Sequence, residues 1–497
     1  MRVSIAILAL AACGPARGPS SVTPIVDRFP GLAAITEAEL RADLFTLAGD
    51  GFRGREAGTL DELRASAWLA ERARAIGLEP AGDDGTYFQL WPMRRLRPSS
   101  ASRVSVDGSG LAFGIDVVPV GLLRAMVDAP LVFVGAGREA DVQGLDLNGK
   151  SVAAVISPPA NPPAAGMSLR PWRYARAAIA ERAAFLQSRG AAAVLMISDQ
   201  TADSGWAFGA TGAMRGTYGI DSAGPPVIRQ GVPVLWIRAS AREKIPAAGG
   251  RLTVDLQVES FLYPSVNVVA RVPGRDPGLR DQYVLFSGHQ DHDGVRTPVA
   301  GDSIYNGADD NASVSVALLA IGRAFVRQPG RRSALFVWHG AEERGLLGSR
   351  WHARNPVVPR DRIAAVLNAD MIGHNHPDSA AFLGVQPPHR NSSDLARMGL
   401  EANARVSRFQ LDTLWDRPTH PEGWYFRSDH LPYARLGIPA VYFSTLPHPL
   451  YHTPEDEPER IDLPKLARVT KWMYATGWLV AEANERPQPE PGFKLER

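Results

Sequence analysis

The stretch "RRSALFVWHGAEERGLLGS", residues 331–349, decides how this chain is read. Its first half is a short, nearly continuous apolar run, which reads as a fully buried β-strand rather than a helix. Glu342 and Glu343 follow side by side, where that strand ends. Adjacent carboxylates at the edge of a core repel each other, and burying either one unpaired is costly. A positive charge must therefore stand close to them.

Working outward, "SVNVVARVPG" and "QYVLFSGHQD" read as further strands, and βα alternation continues to the C-terminus. This pattern predicts an α/β fold, a mixed, mostly parallel sheet flanked by helices. Upstream, "TEAELRADLFTLA" predicts a helix capped by Thr36 with Glu39 three residues on, and "ELRASAWLAERARAIGL" a second helix closed by Gly77. Residues 126–258 change character. There "APLVFVGAG", "KSVAAVIS", "AAAVLMIS" and "VPVLWI" are short apolar strands between Gly- and Pro-rich loops, with one helix before Gly190. They predict a smaller α/β insertion. The expected division is a signal at 1–12, a linker at 13–34, the first part of the main domain at 35–125 and the insertion at 126–258. The main domain resumes at 259–486, and a Pro-rich tail fills 487–497.

Composition narrows the class. Of 497 residues, 45 % are hydrophobic and 21 % charged, which is globular rather than disordered. A net charge of +2 offers no electrostatic case for a nucleic-acid partner. The stretch "GLDLNGKS" (144–151) satisfies the phosphate-loop pattern, yet Lys150 is followed by the strand-like "SVAAVIS", where a phosphate loop must open a helix. Neither a G-x-S-x-G elbow nor an H-E-x-x-H helix occurs. The single cysteine, Cys13, follows Leu10-Ala11-Ala12 after a short apolar run. This resembles a bacterial lipoprotein signal, which implies an exported protein anchored through lipid on Cys13, at the periplasmic face of the outer membrane or the cell surface; an ordinary secretory signal with an incidental cysteine is the alternative.

Five C-terminal segments gather acids and histidines at strand ends. In "LFSGHQDHDG", His289 and Asp291 are two apart and point the same way on an extended chain, which suits a metal-binding imidazole and the carboxylate that orients it. "IYNGADDNASVSVALLAIGRAF" sets Asp309, Asp310 and Asn311 before a helical run, the pair Glu342–Glu343 comes next, and "AAVLNADMIG" places Asp370 after another strand. "HPLYHTPEDE" carries His452 beside Tyr451. Singly, these read as an ion pair, N-capping residues, a turn aspartate and a loop histidine. Jointly they do not, because the strand ends of an open parallel sheet meet in one crevice. A crevice lined with imidazole and carboxylate but no thiolate suits a hydrolytic zinc pair. The missing positive charge is metal.

His289 with Asp291, "GADDNAS", "AEERGLLGS", "LNADMIG" and "YHTPEDE", in this order, resemble the signatures of the co-catalytic di-zinc aminopeptidase family, which includes glutamate carboxypeptidases and glutaminyl cyclases. "RGREAGT" (53–59) and "SDHLPYARLGIPAVYF" (428–443) are similar to further family segments, and the insertion resembles a protease-associated domain. The resemblance implies two Zn²⁺ ions, His289 and Asp370 holding one, Glu343 and His452 the other, with Asp310 bridging. It also implies a cis peptide bond after Asp310, Glu342 as general base for a hydroxide shared by both metals, and a supporting part for Asp291. The two metal charges are balanced by Asp310, Glu343, Asp370 and that hydroxide. Tyr451 is a reasonable donor to the developing oxyanion, although it could equally pack. With the ligand set filled, His292, His374, His376 and His430 read as loop or supporting residues. The family usually has Gly where Val314 stands.

The function implied is that of an exopeptidase acting on peptides with a free N-terminus. A carboxypeptidase or dipeptidase of the same family is an alternative. A glutaminyl cyclase, or a non-catalytic binding protein on the same fold, fits less well with an intact ligand set.

Overall fold

The computed structural model describes residues 28–221 and 228–497. The expected signal and Cys13 lie outside the described residues.

The larger sheet is built around four parallel strands, Ala440–Ser444, Ile363–Ala369, Tyr283–His289 and Ser333–His339, in that spatial order. Three of these are buried at every position, as strands covered on both faces require. Beyond this centre the sheet is mixed, with one further parallel pair, Ser379–Leu383 with Gln410–Asp412, at its edge. On one side Val258–Val272, Phe88–Pro98 and Thr217–Ile220 join antiparallel, and on the other Ser379–Leu383 joins Ala440–Ser444 antiparallel. The larger sheet is thus mixed and flanked by helices, as expected, with its parallel strands gathered at the centre and antiparallel pairs on both sides. Of the flanking strands, Phe88–Pro98 alternates buried and exposed positions from Gln89 to Met93, as a strand covered on one face does.

Both N-terminal helices form as expected. Glu37–Leu47 begins at Thr36, whose hydroxyl accepts the Glu39 N–H, and Leu60–Ile76 ends at Gly77 in the left-handed region. They pack with Ser313–Arg327 and Leu463–Glu482 on one face of the sheet. At the heart of this layer Phe286 stacks on Phe336 at 5.3 Å and tilts against Phe325 at 5.5 Å. Gly477 makes room for the Phe286 ring, since a Cβ there would lie 2.1 Å from it. Leu347–Arg354 and His430–Ala434 cover the opposite face.

A second sheet of eight strands lies between the long strands Phe88–Pro98 and Val258–Val272 in sequence. Its strands run from Arg103–Val106 to Arg251–Leu256, so it draws on residues well before 126. The short strands of 103–119 pair with Arg251–Leu256 and Val234–Ile237, not with the larger sheet. Lys150 lies in a loop and Ser151 opens a strand, so the phosphate-loop pattern has no helix behind it. No helix among the described residues is long and apolar enough to cross a membrane.

One buried cation organises the loops above the sheet. The Arg55 guanidinium is fully buried and donates to the carbonyls of Leu47, Gln290, Asn306 and Gly307. It thereby ties the turn after His289 to the turn before Asp310. Arg55→Met would leave four buried acceptors unsatisfied, at ~1–3 kcal/mol each. Unfolding in urea should show a loss above about 3 kcal/mol at unchanged slope. A change below about 0.5 kcal/mol, ordinary for a surface site, would mean that these carbonyls find other donors.

Candidate metal centre

The parallel strands deliver their C-terminal ends to one edge. His289 is the last residue of its strand, Asp370 follows Ala369 directly, and Glu342 and Glu343 form the turn after Ser333–His339. The loop beyond Ser444 carries Tyr451 and His452. Asp310 stands just before the helix Ser313–Arg327, and its bond to Asn311 is cis. Gly307 takes φ 58°, and a Cβ there would meet the His292 ring at 2.4 Å, so the loop passes this site only as glycine.

Asp310 faces two donor sets with its two oxygens. Oδ1 lies 3.3 Å from Nε2 of His289, which is 3.5 Å from Oδ1 of Asp370. Oδ2 lies 3.5 Å from Nε2 of His452, which is also 3.5 Å from Oε2 of Glu343. The five expected ligands therefore meet in two groups that share one carboxylate. Glu342 stands beside the first group, its Oε2 3.8 Å from His289.

These donors have the character of metal ligands. Nε2 of His289 and Oδ1 of Asp370 are buried with no hydrogen-bond partner among the described residues. Buried polar atoms are rarely left so without a functional reason. Burial, then repulsion from Glu343, pushes Asp310 up to about 7. Burial also drives Glu342 well above the carboxylate range, with Glu343, Asp370 and Asp429 adding repulsion against the pull of His289. On Glu343 burial acts in the same direction, but His452 and His292 outweigh it and hold the group well below its usual range. The imidazole and carboxylate set, without thiolate, fits zinc.

The support around the ligands differs in part from expectation. Nδ1 of His289 contacts the backbone carbonyl of Asp291 at 3.0 Å, while the Asp291 carboxylate stays 3.9 Å away. That carboxylate instead accepts the N–H groups of Glu342 at 2.9 Å and Glu343 at 3.4 Å. Asp291 thus holds the glutamate turn directly and orients His289 through its main chain. The side chain of Asp456 accepts the N–H groups of Asp309 and Asp310 at 2.9 and 3.1 Å. Asn311 brackets Asp370, donating to the Ala369 carbonyl at 3.3 Å and accepting the Met371 N–H at 3.4 Å.

Tyr451 is buried against the ring of His452, and its hydroxyl accepts from Arg427 at 2.9 Å. The phenolic hydrogen is left for another acceptor. Arg427 in turn pairs with Glu422 at 2.8 Å, which also binds Arg173 at 2.8 Å. A cavity of about 530 Å³ opens beside Tyr451, walled by Met167, Leu169, Trp415 and Pro447.

Of the histidines set aside, His292 is the one that reaches the centre. Its Nδ1 lies 2.8 Å from Oε1 of Glu343 and 3.9 Å from Asp310, and burial drives it down to about 3. His374 stacks on His448 at 3.9 Å with planes only 16° apart. His448 faces Asp309 at 3.3 Å, and one nitrogen of each imidazole and an Asp309 oxygen lie within 4.8 Å of one another, so the three form a cluster of their own. His430 is a core residue between Tyr425 and Tyr442, and His376 is exposed. Three further residues escaped the sequence reading: Asp293, Arg427 and Asp429. Asp293 continues the two-residue spacing of His289 and Asp291, a signal that was legible. Arg427 and Asp429 sit within the family-like "SDHLPYARLGIPAVYF" and its preceding residue, with no periodicity to mark them.

Comparison with known proteins agrees with this geometry. Residues 267–477 match the model of peptidase family M28, and every proposed ligand falls inside that range. The chain is 29 % identical over 197 residues to leupeptin-inactivating enzyme 1 of Streptomyces exfoliatus, covering 39 % of each protein. It is 24 % identical over 258 residues to a probable leucine aminopeptidase of Trichophyton verrucosum, covering 50 % of this chain and 66 % of that one. The chain thus spans less than two thirds of these relatives' lengths. In fold it is similar to a zinc aminopeptidase from Bacillus subtilis, with a TM-score of 0.58, 18 % identity and coverage of 93 % of this chain and 99 % of that one. An aminopeptidase from Aneurinibacillus sp. strain AM-1 gives a TM-score of 0.56 at 19 % identity, covering 93 % and 97 %. The likeness to peptidase family M28 is thus carried by residues 267–477, which hold all five expected ligands.

Proposed function

We propose that the protein is a zinc-dependent exopeptidase that removes N-terminal residues from peptides. The observation that carries this reading is Asp310, whose two oxygens face separate His-and-carboxylate groups within 3.5 Å. When bound there, a pair of zinc ions supplies Lewis acidity to the peptide carbonyl and acidity to a water molecule.

The chain's own groups divide the remaining work. Glu342 takes the proton from the attacking water and returns it to the leaving amine, as a general base and then a general acid. A buried site crowded with carboxylates favours a glutamate that can hold a proton between these steps. The Tyr451 hydroxyl, beside the ligand His452, accepts from Arg427, so its hydrogen is free to donate to the oxygen that gains charge. Both oxygens of Asp429 are buried without a hydrogen-bond partner among the described residues, and burial raises this group to about 7. With Glu342 it offers buried carboxyl oxygens that can accept hydrogen bonds from an amino terminus, which suits a substrate with a free N-terminus rather than a terminal carboxylate. The substrate is thus a peptide with a free amino end.

Metal analysis of the purified protein should return two zinc ions per chain, with activity abolished by a chelator and restored by zinc. Content near zero with chelator-resistant activity would end this reading. The paired glutamates should separate in the same assays. Glu342→Gln should keep both metals while kcat falls by roughly 10²–10⁴, and Glu343→Gln should lose affinity for one metal. Loss of both metals in Glu342→Gln would show the roles to be misassigned. Aminoacyl chromogenic substrates should be cleaved and their N-acetylated forms spared. Equal turnover of the two would move the assignment to a carboxypeptidase or another hydrolase.

A further inference from the structure

Asp293 is fully buried, and its two carboxylate oxygens have different partners. Oδ2 bonds Nδ1 of His452, the ring nitrogen opposite the one that faces Asp310 and Glu343. Oδ1 is gripped by three guanidinium groups: Arg296, Arg215 at 3.4 Å and Arg344 at 3.4 Å. Arg215 and Arg296 also donate to the Asp293 carbonyl, at 2.9 and 3.2 Å. Glu56 takes part of the surplus positive charge, lying 3.0 Å from Arg215 and 3.9 Å from Arg344.

Three cations around one carboxylate keep it ionised, and an ionised carboxylate can only accept. Nδ1 of His452 must then carry the hydrogen, and Nε2 keeps its lone pair turned to the centre. A carboxylate behind a metal-binding imidazole fixes the tautomer and ring orientation and raises its basicity. The three arginines come from different parts of the chain. Arg344 belongs to the glutamate turn and Arg296 to the strand Gly294–Val299. Arg215 closes the helix Trp206–Arg215, within the sequence that separates the long strands Phe88–Pro98 and Val258–Val272. The same helix places Phe208 edge-on to His452, with ring centres 6.0 Å apart.

We propose that Asp293 is the positioning residue for His452, and that Arg215 makes the intervening segment part of the support of this metal group. This rests on His452 being a zinc ligand. The segment would then act on the metal centre itself.

The test compares full-length wild type with His452→Ala, Asp293→Asn and Arg215→Gln. Competition with a chromophoric chelator gives the two zinc affinities, and Co²⁺ absorption reports the coordination of each ion. His452→Ala should lose one ion. Asp293→Asn should weaken the same ion by about 10–100-fold, leave the other within about twofold and alter one component of the cobalt spectrum. Arg215→Gln should weaken that ion by a smaller factor. Wild-type affinities in Asp293→Asn, with one ion lost in His452→Ala, would overturn the positioning role and leave the ligand assignment standing. Both ions retained in His452→Ala would overturn the ligand assignment and this role with it. Equal weakening of both ions together with a lower melting temperature would mark a merely structural role and also overturn the proposal. If Asp293→Asn does not fold, Arg215→Gln decides alone, with an unchanged affinity counting against the role.

Discussion

Mutual repulsion among Asp310, Glu342, Glu343 and Asp370 is the constraint that shapes the protein. All four stand at one edge of the sheet, on or beside the imidazoles of His289 and His452, with the nearest oxygens 3.3–3.8 Å from a ring nitrogen. Carboxylates this close in a dry crevice cannot all be ionised unless cations stand among them. The arginines of the region do not fill that need. Arg55 spends its hydrogen bonds on main-chain carbonyls, and Arg215, Arg296 and Arg344 gather on Asp293 and Glu56. The space between the carboxylates is left to divalent metal, which the donor set fits.

Holding such a group demands rigid loops, and the loops are held by polar contacts to the main chain. Asp456 fixes the amides of Asp309 and Asp310, Asn311 brackets Asp370, and Asp291 fixes the amides of the glutamate turn. Each anchor comes from a segment that carries a ligand of its own or abuts one. The ligand loops therefore lock one another. Packing adjusts around them, as Val314 shows. A Cβ on Gly288 would lie 2.4 Å from a Val314 methyl, so the bulk gained on the helix is admitted by the glycine just before His289.

The parallel core, both N-terminal helices and the five ligand segments were legible because each rests on a local pattern. Apolar runs ending in acids mark buried strands, and Thr36 and Gly77 mark helix ends. What was missed depends on tertiary pairing. The strands of residues 103–119 carry no sign of which sheet they join, so the boundary near 126 came too late. The antiparallel flanks of the larger sheet are likewise a matter of partners rather than of composition. Asp291 was placed on the expected histidine, but its carboxylate turned to the glutamate amides, a choice made by the fold and not by the spacing. His292 reads from sequence only as a loop or supporting residue, and Asp293 lies just past the pair His289–Asp291. Apart from Arg296, three residues on, their partners Glu343, His452, Arg215 and Arg344 are distant in sequence.

The adjacent residues Tyr451 and His452 are each tied to the smaller α/β unit by a carboxylate and an arginine. Tyr451 accepts from Arg427, which pairs with Glu422, and Glu422 in turn accepts the Ser168 amide and binds Arg173. His452 bonds Asp293, which pairs with Arg215. Two such links on consecutive side chains restrict the loop both along its length and in rotation, since the phenol and the imidazole leave the chain in different directions. Their rings meet at 89° with centres 4.0 Å apart. A shift of the smaller unit would therefore reach the proposed oxyanion donor and the proposed metal ligand together. The cavity beside Tyr451 and the geometry of the candidate metal centre are then coupled through one short loop.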